Sequence, residues 1–245
     1  MPTRAVHMVI DAADPSALAA FWAAALGWEV AEDEPDEVVV WPARFSYPSP
    51  TALPLVFVPV EEPKTGKNRM HLDLSTTSQQ HQVAEVERIL ALGATRADIG
   101  QGDVEWSVLA DPEGNEFCVL DPREAYLDAS PVAAVVLDCA RPDELVPFWA
   151  DATAWDVHVS QPNFASLRAP GGTGPFLELL QTPDIKTVKN RLHMDIAPLA
   201  EGDVQAEALR LEKEGAVRLD IGQGDVTWVV LGDPEGNEFC VLSPR

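Results

Sequence analysis

Positive charge and cysteine are both scarce in this chain. Lysine and arginine total 17 against 40 acids, for a formal net charge of -23. That balance repels phosphate backbones and anionic lipid alike, so nucleic acid and membrane surfaces are poor partners. A cationic small molecule would instead be attracted, although a strongly acidic surface also serves plain solubility. Three cysteines, Cys118, Cys139 and Cys240, make an odd and widely spaced set. This fits neither a disulfide framework nor a CxxC zinc site. No apolar run reaches the roughly 20 residues of a membrane span. The opening MPTRAVHMVID moves directly into a strand-like pattern, with no apolar secretion signal. A cytoplasmic location is the expectation.

What is present in abundance is repetition. The decapeptide DPEGNEFCVL stands at Asp111–Leu120 and again at Asp233–Leu242. In the wider window, Ala97–Arg123 and Leu219–Arg245 agree at 22 of 27 positions, at a constant offset of 122 residues. The same offset carries KNRMHLDL at Lys67–Leu74 onto KNRLHMDI at Lys189–Ile196. A tandem duplication of a small domain follows, since a period this long is not a solenoid unit. The expected division is residues 1–123, a linker at 124–131, and residues 132–245. Apolar residues make up 46% and charged residues 23%, so each half can bury a core.

Each repeat reads as two βαβββ units. Ala5–Asp11 alternates as a strand with Val6, Met8 and Ile10 on one face and His7, Val9 and Asp11 on the other. A helix follows, capped by Asp14, opened by Pro15 and closed by Gly27. Its stripe of Leu18, Phe21, Trp22 and Ala25 is a core face. Strands are expected at Trp28–Ala31, Val38–Trp41 and Leu53–Val60. The second unit runs through Arg69–Leu74, a helix at Gln79–Leu92, then Thr95–Ile99, Val104–Leu109 and Glu116–Leu120. The DPEGN segment before the last strand is a tight turn, with Pro presetting φ and Gly or Asn accepting positive φ. Beyond the Glu124–Pro131 linker the cycle restarts, with Pro147 expected to weaken the helix over Pro142–Ala152.

Alternation along Arg69–Leu74 sets Arg69, His71 and Asp73 against Met70, Leu72 and Leu74; Arg191, His193 and Asp195 repeat the pattern. One face is apolar and one mixed, as the wall of a binding cup requires. Arg69 and Arg191 could meet an anionic ligand group, or pair with Asp73 and Asp195 on their own strands. Trp106 and Trp228 occupy equivalent places, suited either to an aromatic wall or to core packing. Cys118 and Cys240 could be nucleophiles beside His71 and His193, or small buried hydrophobes. His81 and His158 read as solvated surface residues.

With its DPEGN turns, its two KNRxHxD segments and DPSALAAFWAAALGW at Asp14–Trp28, the chain resembles the vicinal oxygen chelate superfamily, and within it the glyoxalase-like and bleomycin-resistance-like group. The resemblance implies an α+β fold, with four βαβββ units forming two domains of curved eight-stranded mixed sheet around a ligand cup. It also implies a divalent metal held by His, Glu, His and Glu from the first and fourth strands of paired units. Carried onto this chain, the first domain offers His7, then Val56 or Val58, His71 and Cys118. The second offers Ala134, Glu178, His193 and Cys240. Neither set is complete, and a set of His7, His71 and Cys118 would favour zinc because of its thiolate.

Two functions remain in view. In one, the protein binds a small organic molecule, cationic or aromatic, in one or both cups. In the other it is a metal-dependent lyase, isomerase or dioxygenase working in the first domain. A largely structural duplicate, in which tandem domains replace a homodimer, is a third possibility, and both monomer and homodimer fit.

Overall fold

The computed structural model of the chain describes residues 3–47 and 49–244. Unit 1 comprises β1 (Thr3–Ala12), α1 (Pro15–Leu26), β2 (Glu29–Asp33), β3 (Val38–Trp41) and β4 (Leu55–Pro59). Unit 2 comprises β5 (Met70–Leu74), α2 (Gln79–Ala91), β6 (Thr95–Arg96), β7 (Ser107–Ala110) and β8 (Glu116–Val119). A single turn of 3-10 helix at Glu124–Tyr126 follows. Unit 3 comprises β9 (Val132–Cys139), α3 (Pro142–Thr153), β10 (Asp156–Gln161), β11 (Phe164–Arg168) and β12 (Phe176–Gln181). Unit 4 comprises β13 (Leu192–Pro198), α4 (Val204–Lys213), β14 (Val217–Arg218), β15 (Val229–Gly232) and β16 (Glu238–Val241). The result is an α+β protein with two eight-stranded mixed sheets.

Strand order places the sheets across the repeats. One sheet runs β14-β15-β16-β13-β1-β4-β3-β2 and joins unit 1 to unit 4. The other runs β10-β11-β12-β9-β5-β8-β7-β6 and joins unit 2 to unit 3. The seams are antiparallel, β1 against β13 and β5 against β9, while β4 and β16 flank their seam strands in parallel. Each cup therefore takes one unit from each sequence repeat. A single apolar cluster fills the space between the outer faces of the two sheets and the four helices.

The caps explain the helices. Asp14 accepts from the Ala17 amide at 3.0 Å, and Gly27 ends α1 with φ of 64°. Ala154 adopts the same left-handed cap after α3, at φ 56°, without glycine's freedom. α3 runs through Pro147 despite that residue's missing N–H. Leu145, Phe148 and Trp149 are buried in the core, and that packing outweighs a helix-interior proline cost of about 3 kcal/mol.

The DPEGN turns do more than reverse the chain. Asp111 accepts from its own loop's Glu113 and Asn115 amides at 3.0 and 2.9 Å, and from Trp22 Nε1 of α1 at 3.2 Å. The Glu113 carboxylate accepts from the Ala13 and Asp14 amides that lead into α1. Asp233, Trp149 and Glu235 repeat the arrangement at α3. Turn and helix are thus tied within a repeat while the sheets tie one repeat to the other.

Arg69 and Arg191 stitch the junction. Both precede their strands and point away from Asp73 and Asp195, so the pairing with those carboxylates expected from alternation does not form. Arg69 donates to the carbonyls of Asp138 (2.7 Å) and Asp184 (2.8 Å) and to Asn237 Oδ1 (3.1 Å). Arg191 donates to the carbonyls of Asp11 (2.7 Å) and Glu62 (2.9 Å). A guanidinium fork satisfies several carbonyls at once, which a lone carboxylate on the same strand face would not use.

Arg69→Ala should lower unfolding free energy by about 2 kcal/mol in urea titrations, because it leaves the carbonyl of buried Asp138 and the side-chain oxygen of buried Asn237 without this donor. Arg141→Ala, which removes a surface pair with Glu144, should change it by no more than about 0.5 kcal/mol. Equal losses would refute the stitching role. Ala154→Gly should raise stability by about 0.5–1 kcal/mol by relieving the left-handed cap; an unchanged melting transition would count against strain there.

Candidate functional site

The open cup lies between units 1 and 4. A register shift between Ala5 and His7 marks a bulge in β1. Val6 consequently packs with Ala197, Val230 and Cys240 on the cup side, while His7 lines the same cup. Plain alternation had set Val6 with Met8 and Ile10; the extra bulge residue changes the face. Across the seam His7 stands opposite Asp195 and Val9 opposite His193. Val9 also neighbours Val56, and Asp195 neighbours Cys240.

Four polar side chains meet on this floor. His7 Nε2 lies 2.7 Å from Asp195 Oδ2. His193 Nε2 lies 3.5 Å from Cys240 Sγ and 3.5 Å from Asp195 Oδ1. All four residues are buried. Within the described residues, His193 Nδ1 and Asp195 Oδ1 have no hydrogen-bond partner. Burial holds the His193 imidazole below its ordinary range. Burial, reinforced by the Asp195 charge, pushes the Cys240 thiol well up, away from the thiolate a nucleophile needs.

Above the floor is a cavity of about 1310 Å³, with Val9, Val56, Ile221 and Trp228 among its apolar lining. Its lysines are committed to carboxylates: Lys64 to Glu116, Lys186 to Glu238, Lys67 to Asp138 and Lys189 to Asp11. Asp36, Glu37, Glu61, Glu62 and Asp184 add acidic charge around it.

The second cup, between units 2 and 3, carries the same motif in different company. His71 faces Val136, Asp73 neighbours Ala134 and Cys118, and Glu178 neighbours Val136. His71 Nε2 is 3.3 Å from Asp73 Oδ1. Burial would lower the His71 pKa, but the carboxylate of Asp73 beside it outweighs burial and leaves it raised. Its counterpart His193 moves the other way, since Asp195 gives its short contact to His7. Burial and Asp73 together raise the Cys118 thiol.

The chain itself fills this cup at its Glu178 end, and a cavity of about 510 Å³ remains at the Trp106 and Val108 edge. Tyr126, from the segment read as a linker, is buried in the cup and donates its hydroxyl to Glu178 Oε1 at 2.7 Å. Burial, chiefly, pushes the Glu178 carboxyl up to about 7. Sequence reasoning missed Tyr126; its one signal was that a chain with only two tyrosines places one in that polar stretch.

The structure regroups the metal candidates. His7, His71 and Cys118 do not form one site: β1 belongs to one sheet, and β5 and β8 to the other. The reason is the seam, which gives β1 the partner β13 and not β5. His7 instead joins His193 and Cys240, with Val56 in the fourth-strand place; His71 and Cys118 join Ala134 and Glu178. Groups able to hold an ion are His193, Asp195 and Cys240 in the open cup and His71, Asp73 and Cys118 in the filled one, their donor atoms within 4.8 Å of one another. Trp228, 39% exposed, lines the open cavity. Trp106 lies against the apolar cluster of the filled cup under the Arg123 guanidinium, 5.7 Å from its ring. His81 and His158 are exposed, as expected.

Solved structures share this architecture. Glyoxalase I from Zea mays superposes with a TM-score of 0.66 at 16% identity, covering 98% of this chain and 92% of its own. A protein described as a dioxygenase, from Bacillus subtilis subsp. subtilis, superposes with a TM-score of 0.62 at 12% identity, covering 99% and 85%. At these identities the likeness is one of fold. No curated protein matches the chain in sequence. The model of the glyoxalase-like domain matches twice, over residues 7–120 and 134–242, and with that span the chain belongs to the glyoxalase-like domain family of the vicinal oxygen chelate superfamily.

Proposed function

We propose that the protein binds a small organic molecule in the cup between units 1 and 4. The observation that supports this is the cavity of about 1310 Å³, roomy for one organic ligand, with an apolar wall and a compact polar floor. Its acidic surroundings and committed lysines favour a cationic ligand, and Trp228 offers an aromatic face. The filled cup serves as scaffold in this reading.

A second reading, a metal-dependent lyase, isomerase or dioxygenase, is favoured by one specific feature. His193, Asp195 and Cys240 converge with His7 on the far oxygen of Asp195, and Asp195 Oδ1 lacks a hydrogen-bond partner within the described residues. Nitrogen, carboxylate and sulfur donors in one small group fit zinc better than magnesium or calcium. Zinc bound there would supply Lewis-acid polarisation of a ligand oxygen. The chain's own part would be to orient that ligand against Val9 and Val56 and to exchange a proton at His7 Nε2. This reading belongs to the shared cup, not to the first repeat alone.

Titration with a panel of cationic aromatic compounds should quench tryptophan fluorescence saturably, and Trp228→Phe should remove most of the signal. A panel without any saturable response would refute the binding reading. Metal analysis before and after chelation separates the two: stoichiometric zinc, lost in His193→Ala, would move the conclusion to the enzyme.

The filled cup carries a pH prediction. Glu178 faces Tyr126, Asp73, Arg123 and His71, and its folded-state pKa lies above the ordinary carboxylate value. The folded state therefore holds that proton more tightly than the unfolded state. The stability it contributes is complete below about pH 4.5 and falls as pH rises to about 7. Glu178→Gln should remove up to about 3 kcal/mol of this decline across that window. Parallel stability profiles for the two proteins would contradict it.

A further inference from the structure

The phenol side chain of Tyr126 is buried in the cup between units 2 and 3. The cup's walls are Val108, Ala134, Val136 and Phe176, all buried. Phe176 meets the Tyr126 ring edge-on, with centroids 5.7 Å apart, and the Arg123 guanidinium lies 6.0 Å from the ring centre. At the far end Glu178, 7% exposed, accepts the hydroxyl. A buried carboxyl needs a donor, and here a neutral O–H provides it. The corresponding fourth-strand position of the open cup is Val56, which has no such need.

The occupant sits on a short connecting segment between the two units. Its helical turn spans three residues, and its neighbour Leu127 is 58% exposed. Asp128, the next residue, pairs with Arg168 at 3.0 Å, its own side chain largely in solvent. Tethering at both ends gives Tyr126 a high effective concentration in the cup, so a free molecule of the same chemistry competes at a disadvantage.

We propose that the cup between units 2 and 3 is a binding site for a neutral hydroxyaryl group, and that Tyr126 is its resident occupant, supplied by the chain in place of a free ligand. Ring burial sets the shape of what is accepted, and Glu178 selects for the hydroxyl. The proposal is independent of what the open cup binds.

The test is Tyr126→Ala in the full-length chain, titrated calorimetrically with p-cresol, the tyrosine side chain itself, and with toluene. The variant should take up p-cresol saturably while the native protein does not. Toluene should bind roughly tenfold more weakly, as expected for loss of a hydrogen bond to a carboxyl. Adding Glu178→Ala should abolish that preference. A folded Tyr126→Ala protein that takes up no p-cresol, or takes up both compounds equally, overturns the proposal. Should the variant be recovered unfolded, p-cresol during refolding must restore its native near-ultraviolet circular dichroism, and failure to do so overturns it too.

Discussion

The antiparallel seam between β1 and β13, and its counterpart between β5 and β9, is the constraint on which everything else rests. Each seam strand turns one apolar face to the helices and its other face, polar or mixed on β1, β5 and β13 and apolar at Ala134 and Val136 of β9, to a cup, and its partner comes from the other repeat. Because the period of a strand is two, the seam register decides which side chains share a floor. His7 meets Asp195 and His71 meets Val136 for that reason alone. The arginine stitches and the turn-to-helix carboxylates keep this register by tying backbone carbonyls and amides across the junction.

Duplication has produced two cups with one motif and two characters. Both floors carry histidine, aspartate and cysteine. In the open cup the aspartate reaches across the seam to a second histidine, leaving the motif histidine held low by burial. In the other, the place of that second histidine is Ala134, so the aspartate turns to its own histidine and raises it. A single difference on the neighbouring strand, Val56 against Glu178, goes with an open cavity in one case and a chain-filled one in the other. Electrostatics inside these cups follows from which neighbour each carboxylate chooses, more than from the motif.

Much of this was legible in the sequence. Asp14 and Gly27 marked the ends of α1, and the alternation of Met70–Leu74 marked its two faces. The repeated turns and motifs identified paired βαβββ units and, by resemblance, the superfamily. What could not be read was which unit pairs with which. MHLDL and LHMDI offer nearly the same edge and the same pattern, so within-repeat and between-repeat seams look alike in one dimension. The three-residue-set His7, His71 and Cys118 failed on that ambiguity. The bulge at Val6 was invisible because it depends on the partner strand. Tyr126 was hidden because a short polar stretch gives no periodicity, and its burial depends on a carboxyl some fifty residues away.

The nesting of the seams also orders events in time. Units 2 and 3 are adjacent in the chain and can meet as soon as both have left the ribosome, with the tyrosine turn between them arriving together with its cavity. Unit 1 is made first yet has no sheet partner until unit 4 exists, so the long apolar strand Thr3–Ala12 waits as an uncovered edge through synthesis of both middle units. Non-local pairing of this kind is slow, and an edge kept waiting invites neighbouring nascent chains. The strand that later floors the open cup thus keeps a free edge until the last unit is made.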